Sequence, residues 1–200
     1  MINPCSNLSV QSLKKKKMRG KDTFLYFAFG SNLLTRRIHV QNQSAKAVGV
    51  AMLKDHELDF RLPSKRWHGC AATVIPCPGK RVWGVLWELK NEDLQSLDDQ
   101  EGVSLNIYRR LSVKVHSQDG SEEFHPYTYR VRDEMMIPKT ADCRPSKVYK
   151  NIMIEGGKEN GLPSDYIQEL IDIEDNGYDG PVEVKLALNL KMEQNENSSS

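Results

Sequence analysis

No stretch of this 200-residue chain approaches the roughly 20 apolar residues that a bilayer span requires, and the N-terminus lacks the apolar segment of a secretory leader. Membrane insertion and secretion are therefore not expected, and a cytoplasmic protein is. The four cysteines, Cys5, Cys70, Cys77 and Cys143, form no C-x-x-C pair, and the five histidines show no H-x3-H spacing. Neither a zinc site nor a disulfide framework is expected. Acidic residues are missing from positions 1–21, which hold six of the 28 basic residues and leave 22 basic against 27 acidic residues in the rest. A mildly acidic body behind a basic tail argues against a nucleic-acid-binding fold. Internal repeats are also absent.

What is present is the mixed apolar and charged content of one soluble globular domain. The expected layout is a disordered basic tail at 1–22, a folded domain at 23–191 and a polar, disordered tail at 192–200. FLYFAF, residues 24–29, is an apolar run of strand length that opens into Gly30-Ser31-Asn32, followed by a short helix over 33–40. A long strand, or two with a bend near Lys54-Asp55, begins at Gly49. GCAATVIP and RVWGVLWEL flank CPGK, whose Pro78-Gly79 predicts a hairpin turn. Two further strands, YRRLSVKVHS and FHPYTYRVR, surround QDGSEE. Helices are expected over 91–101, capped by Asn91, over 145–154, closed by Gly156-Gly157, and after Pro163-Ser164-Asp165. Strands dominate the first two-thirds and helices the last third, which predicts α+β architecture with a strongly bent sheet or barrel.

The helix over 91–101 contains SLDDQEGV, and its three acids are not equivalent. With Leu94 at zero and about 100° per residue, Leu97 falls near ~300°, Glu101 near ~340°, Asp98 near ~40° and Asp99 near ~140°. Glu101 thus lies between two leucines, Asp98 flanks them and Asp99 faces solvent. A carboxyl on the apolar face at the negative end of a helix should have a raised pKa, as a base working near neutrality requires. The same spacing also fits a Glu101 that frays outward or pairs with a base such as Arg109. Gly30-Ser31-Asn32 has two readings as well: a helix cap, or backbone N–H groups converging on a substrate carboxylate or oxyanion. Trp83 and Trp87 read as core aromatics and His68 as a loop residue.

FLYFAFGSNLL, WHGCAATV, VWGVLWEL, SLDDQEGV and YKNIMIEGGKENGLP, in that order across residues 23–178, together resemble the γ-glutamylcyclotransferase family. The likeness is to the branch acting on γ-glutamyl amino acids. The γ-glutamylamine and glutathione-specific branches, with YGTL-type and YGSL-type loops, match GSNLL less well. The resemblance implies a mixed β-barrel with packed helices in one catalytic domain. It further implies a cofactor-free cytosolic homodimer that converts a γ-glutamyl amino acid to 5-oxoproline and the free amino acid within glutathione metabolism. It places the catalytic glutamate at Glu101 and substrate binding at Tyr26, Phe27, Ala28, Phe29, Gly30, Ser31 and Tyr149. Phe29 stands where the family loop commonly has tyrosine, so that hydroxyl is missing. The alternatives are a cyclotransferase of shifted specificity, for γ-glutamylamines or glutathione, and a non-catalytic module that keeps the pocket.

Overall fold

The computed structural model describes residues 22–183. Both expected tails, apart from Asp22, lie outside the described residues, as does Cys5. A run that is apolar from Phe24 onward needs cover on both faces, and β1 (Thr23–Ala28) has it from Leu25 to Ala28. It lies between two neighbours, antiparallel to β3 (Gly69–Lys90) and parallel to β7 (Tyr127–Val131).

The expected hairpin around Pro78-Gly79 does not form. Residues 69–90 run as one bent strand, and both halves pair with the nearly as long β2 (Lys46–Ser64). Gly79 has φ 78° and Asp55, opposite it, φ 56°; the Asp55 carboxylate accepts the Gly79 N–H at 2.9 Å. Two left-handed residues facing each other bend both strands together, so the turn chemistry yields a kink rather than a reversal. The reversal lies at residues 65–68, between the paired Ser64 and Gly69, where His68 has φ 52°.

The remaining strands split in two, as β4 (Tyr108–Ser112), β5 (Val115–Ser117), β6 (Glu123–Phe124) and β7. The sheet order is β4-β7-β1-β3-β2-β5-β6. Ser112 and Val115 are three positions apart in sequence but five strands apart in the sheet. An extended chain covers about 10 Å in three residues, whereas five strand spacings in a flat sheet span about 24 Å. The sheet must curl until its edges approach, and that curl is the expected bent, barrel-like architecture. Val113 N–H donating to the Pro126 carbonyl at 3.0 Å joins the two crossings.

Four helices close the structure. A 3-10 turn (Ser31–Leu33) precedes α1 (Thr35–Ile38), shorter than the expected 33–40. Asn91 does not cap; it begins a 3-10 turn (Asn91–Asp93) that runs into α2 (Leu94–Gln100), whose Leu97 is fully buried. Gly156 and Gly157 do not end α3 (Lys147–Glu159) but lie inside it. A Cβ on Gly156 would come within 2.4 Å of the Leu34 backbone nitrogen, so the glycine permits close approach rather than a stop. Gly157 faces Ile167 of α4 (Ser164–Asp172), whose Tyr166, Ile167 and Leu170 are buried. Among the described residues, no helix is long and apolar enough to cross a membrane.

Candidate active site

Helix α2 ends in a chain reversal that fixes Glu101. The Gly102 N–H donates to the Asp99 carbonyl (3.1 Å) and the Val103 N–H to the Asp98 carbonyl (3.0 Å), with Gly102 at φ 65°. This is the Schellman pattern, in which a glycine takes the left-handed residue and the last helical carbonyls keep their partners. Glu101 is the residue just before that glycine, with Leu97 buried one turn back. It does not fray, and Arg109 pairs with Asp133 instead.

Glu101 faces a cavity of about 810 Å³ whose wall also includes Tyr26, Asn32, Arg37, Tyr108 and Tyr149. The side chain is half-buried on that wall. Burial pushes its carboxyl up to about 7. The Arg37 charge and a hydrogen bond from Asn32 Nδ2 to Oε1 (3.1 Å) pull the other way, and Asp98 adds a smaller rise. The other two acids separate as the helix wheel predicts. Asp99 is exposed, accepting from Gln95 at 2.9 Å. Asp98 is tied on the flank by Arg110 at 2.7 Å and the Tyr129 hydroxyl at 2.6 Å.

Asn32 joins these parts. It is buried and makes no cap hydrogen bond; its Nδ2 also donates to the Tyr26 hydroxyl at 3.1 Å. Its Oδ1 accepts from Gln100 Nε2 at 2.9 Å, and its carbonyl accepts from Trp87 Nε1 at 3.1 Å. With both ends of its side-chain amide engaged, that amide has one orientation, which directs the donor at Glu101.

Tyr149 closes the opposite wall, held edge-on by Trp67 (ring centroids 4.8 Å apart) and Phe60 (6.3 Å). Its hydroxyl oxygen accepts the Ala72 N–H at 3.2 Å. Burial pushes this phenol up to about 12, so it stays protonated. With the oxygen accepting from the Ala72 N–H, the hydroxyl proton is free to point into the cavity. The β1 loop is packed tightly here: a Cβ on Gly30 would lie 2.9 Å from this hydroxyl.

Of the residues expected from the motifs, Tyr26, Phe29, Gly30, Ser31, Glu101 and Tyr149 border the one cavity. Phe27 and Ala28 do not. Both are wholly buried in the core: the Phe27 carbonyl accepts from Thr128 Oγ1 at 2.8 Å, and Ala28 packs its backbone against Gly84. The motif carried them into the list because they are contiguous with the loop. Sequence reasoning missed Tyr108 and Gln100, and left Asn32 between two roles. It also passed over Arg37, although a helical wheel through Leu34 and Ile38 puts Arg37 beside them and Arg36 on the far side.

Residues 81–170, which include Glu101 and its helix, match the AIG2-like family. A solved structure of a gamma-glutamyl cyclotransferase superposes with a TM-score of 0.75 at 44% identity, covering 80% of this chain and 94% of the other. The gamma-glutamylcyclotransferase of Bos taurus is 44% identical over 165 residues, which is 80% of this chain and 84% of that one. The Homo sapiens protein of the same name is 45% identical over 166 residues, covering 81% and 85%. The chain belongs to the γ-glutamylcyclotransferase family and is an enzyme of that type.

Proposed function

We propose that Glu101 is the proton-transfer group with which this chain converts γ-glutamyl amino acids to 5-oxoproline and the free amino acid. The substrate's α-amine nitrogen attacks its own γ-carbonyl carbon, so a ring C–N bond forms as the C–N bond to the departing amino acid breaks. Glu101 takes the proton released by the amine and returns it to the leaving nitrogen, so no water is consumed. Nucleophile and electrophile share one chain, and folding it into reactive geometry supplies much of the acceleration.

The observation that supports this most is a carboxyl held near neutrality, pushed up to about 7, on a cavity wall and oriented by Asn32. A base near pH 7 combines a usable deprotonated fraction with enough basicity. Tyr26, Phe29, Gly30, Ser31 and Tyr149 would hold the substrate around it. The Tyr149 phenol donates to substrate oxygen, and the loop backbone contributes N–H groups. Phe29 cannot add a hydroxyl, so the loop acts through its backbone. A cytosolic homodimer completes the proposal and rests on the sequence motifs.

Purified protein incubated with γ-glutamyl-alanine, glutathione and γ-glutamyl-ε-lysine should release 5-oxoproline from the first. Product from glutathione or the lysine derivative alone would move the specificity to another branch. No product from any of the three would reject the reaction.

A further inference from the structure

The described residues include ten arginines, and eight of them form ion pairs with a carboxylate. Arg36 pairs with Glu155, Arg61 with Asp59, Arg81 with Asp165 and Glu169, and Arg110 with Asp98. Arg109 and Arg130 share Asp133, Arg132 pairs with Glu134, and Arg144 bridges Asp142 and Glu174. The two exceptions are Arg37 and Arg66, and both border the Glu101 cavity.

Neither side chain makes a hydrogen bond or ion pair among the described residues. The Nε of Arg37 is fully shielded and has no partner. The Arg66 charge is felt at Arg37, and burial lowers the pKa of Arg37, which nonetheless stays protonated. Glu101 attracts Arg37 without reaching ion-pair distance. A partly buried guanidinium without a carboxylate partner is costly to the free protein, and an anion in the cavity relieves that cost at Arg37 while Arg66 at the exposed edge adds attraction. Lys65, exposed beside Arg66, borders the same cavity and adds a third positive charge.

A γ-glutamyl amino acid carries two carboxylates, and the proposed loop contacts serve only the glutamyl end. Arg66 is exposed, whereas Arg37 lies half-buried towards Glu101. The pair therefore runs from the reacting centre to the mouth, the path of the departing group. We infer that Arg37 and Arg66 bind the carboxylate of the departing amino acid, selecting γ-glutamyl amino acids over γ-glutamyl amides of uncharged amines. This inference rests on the reaction proposed above.

The test compares γ-glutamyl-alanine with γ-glutamyl-ethylamide, which differ only by that carboxylate. Binding is measured by calorimetry in Glu101→Gln, so the subsite is read without turnover, and kcat/KM is measured with Glu101 intact. The alanine compound should be preferred tenfold or more in both measurements. Arg66→Gln and Arg37→Gln should each cut that preference at least fivefold, with Arg66→Gln acting through KM. Arg36→Gln, whose arginine pairs with Glu155 outside the cavity, should leave the preference unaltered. Equal binding of the two compounds, or equal losses on both in the Arg37 and Arg66 variants, overturns the subsite. If binding discriminates and the variants abolish that discrimination but no 5-oxoproline forms, the subsite stands and the reaction falls.

Discussion

Replacing Glu101 with glutamine should make the protein more stable as it makes it inactive. The unfolded chain loses the Glu101 proton near pH 4.5 and the folded chain near 7. Between those values the folded state binds more protons, so stability falls as pH rises. A rise from 4.5 to about 7, at about 1.4 kcal/mol per unit, costs the fold about 3 kcal/mol once the carboxylate is fully ionised. Glutamine keeps the size of the side chain and an acceptor for Asn32 but never ionises. Urea denaturation of both proteins should show a small, constant gap below pH 4.5 that widens in favour of Glu101→Gln towards pH 8. At roughly 2–4 °C per kcal/mol for a chain of this size, Tm at pH 8 should rise by about 6–12 °C. Turnover should fall by about 10²–10⁴. A gap that stays flat from pH 4.5 to 8, or narrows, would refute a buried, raised carboxyl whatever happened to activity.

Three other perturbations probe the parts around that acid. Asn32→Leu removes a hydrogen bond to the carboxylate worth about 1.5–3 kcal/mol. The midpoint of the kcat/KM profile against pH should therefore move up by about one unit or more, and an unmoved or lower midpoint contradicts the contact. Gly102→Ala forces a side chain into a left-handed conformation and within 3.1 Å of Ile107 Cδ1. It should cost about 1–2 kcal/mol in chemical denaturation, with a loss of kcat, and neutrality in both would mean that the reversal does not position Glu101. Tyr149→Phe strips the acceptor from the Ala72 N–H and the donor from the cavity. Stability should drop by about 1–3 kcal/mol and kcat/KM should drop as well; wild-type kinetics would remove Tyr149 from the site.

The parts of this molecule that were legible in its sequence are those decided within one turn or one strand. Apolar FLYFAF needed no partner to read as a buried strand. Leu94, Leu97 and Gly102 together placed Glu101 on the inner face and separated it from Asp99. What stayed hidden depends on elements that meet only after folding. Pro78-Gly79 and Gly156-Gly157 signal unusual backbone, but the first pair bends two strands together and the second admits the Leu33-Leu34 backbone against α3. Neither use can be told from a turn or a stop without the neighbour. Asn32 and Arg37 were in plain view, yet the residues that give them a role lie at the end of α2 and on the reversal between β2 and β3.

The reversal at Gly102 also has an evolutionary consequence. Its hydrogen bonds join backbone groups of residues 98, 99, 102 and 103, so apart from Ile107, packed against Gly102, the turn itself does not depend on the side chains that follow it. Leu105, 72% exposed, nonetheless borders the cavity three residues later. Substitutions there can reshape the rim that meets the departing group while the chemical centre keeps its coordinates. Drift in substrate range and constancy of reaction are thus separated along the chain by a single glycine.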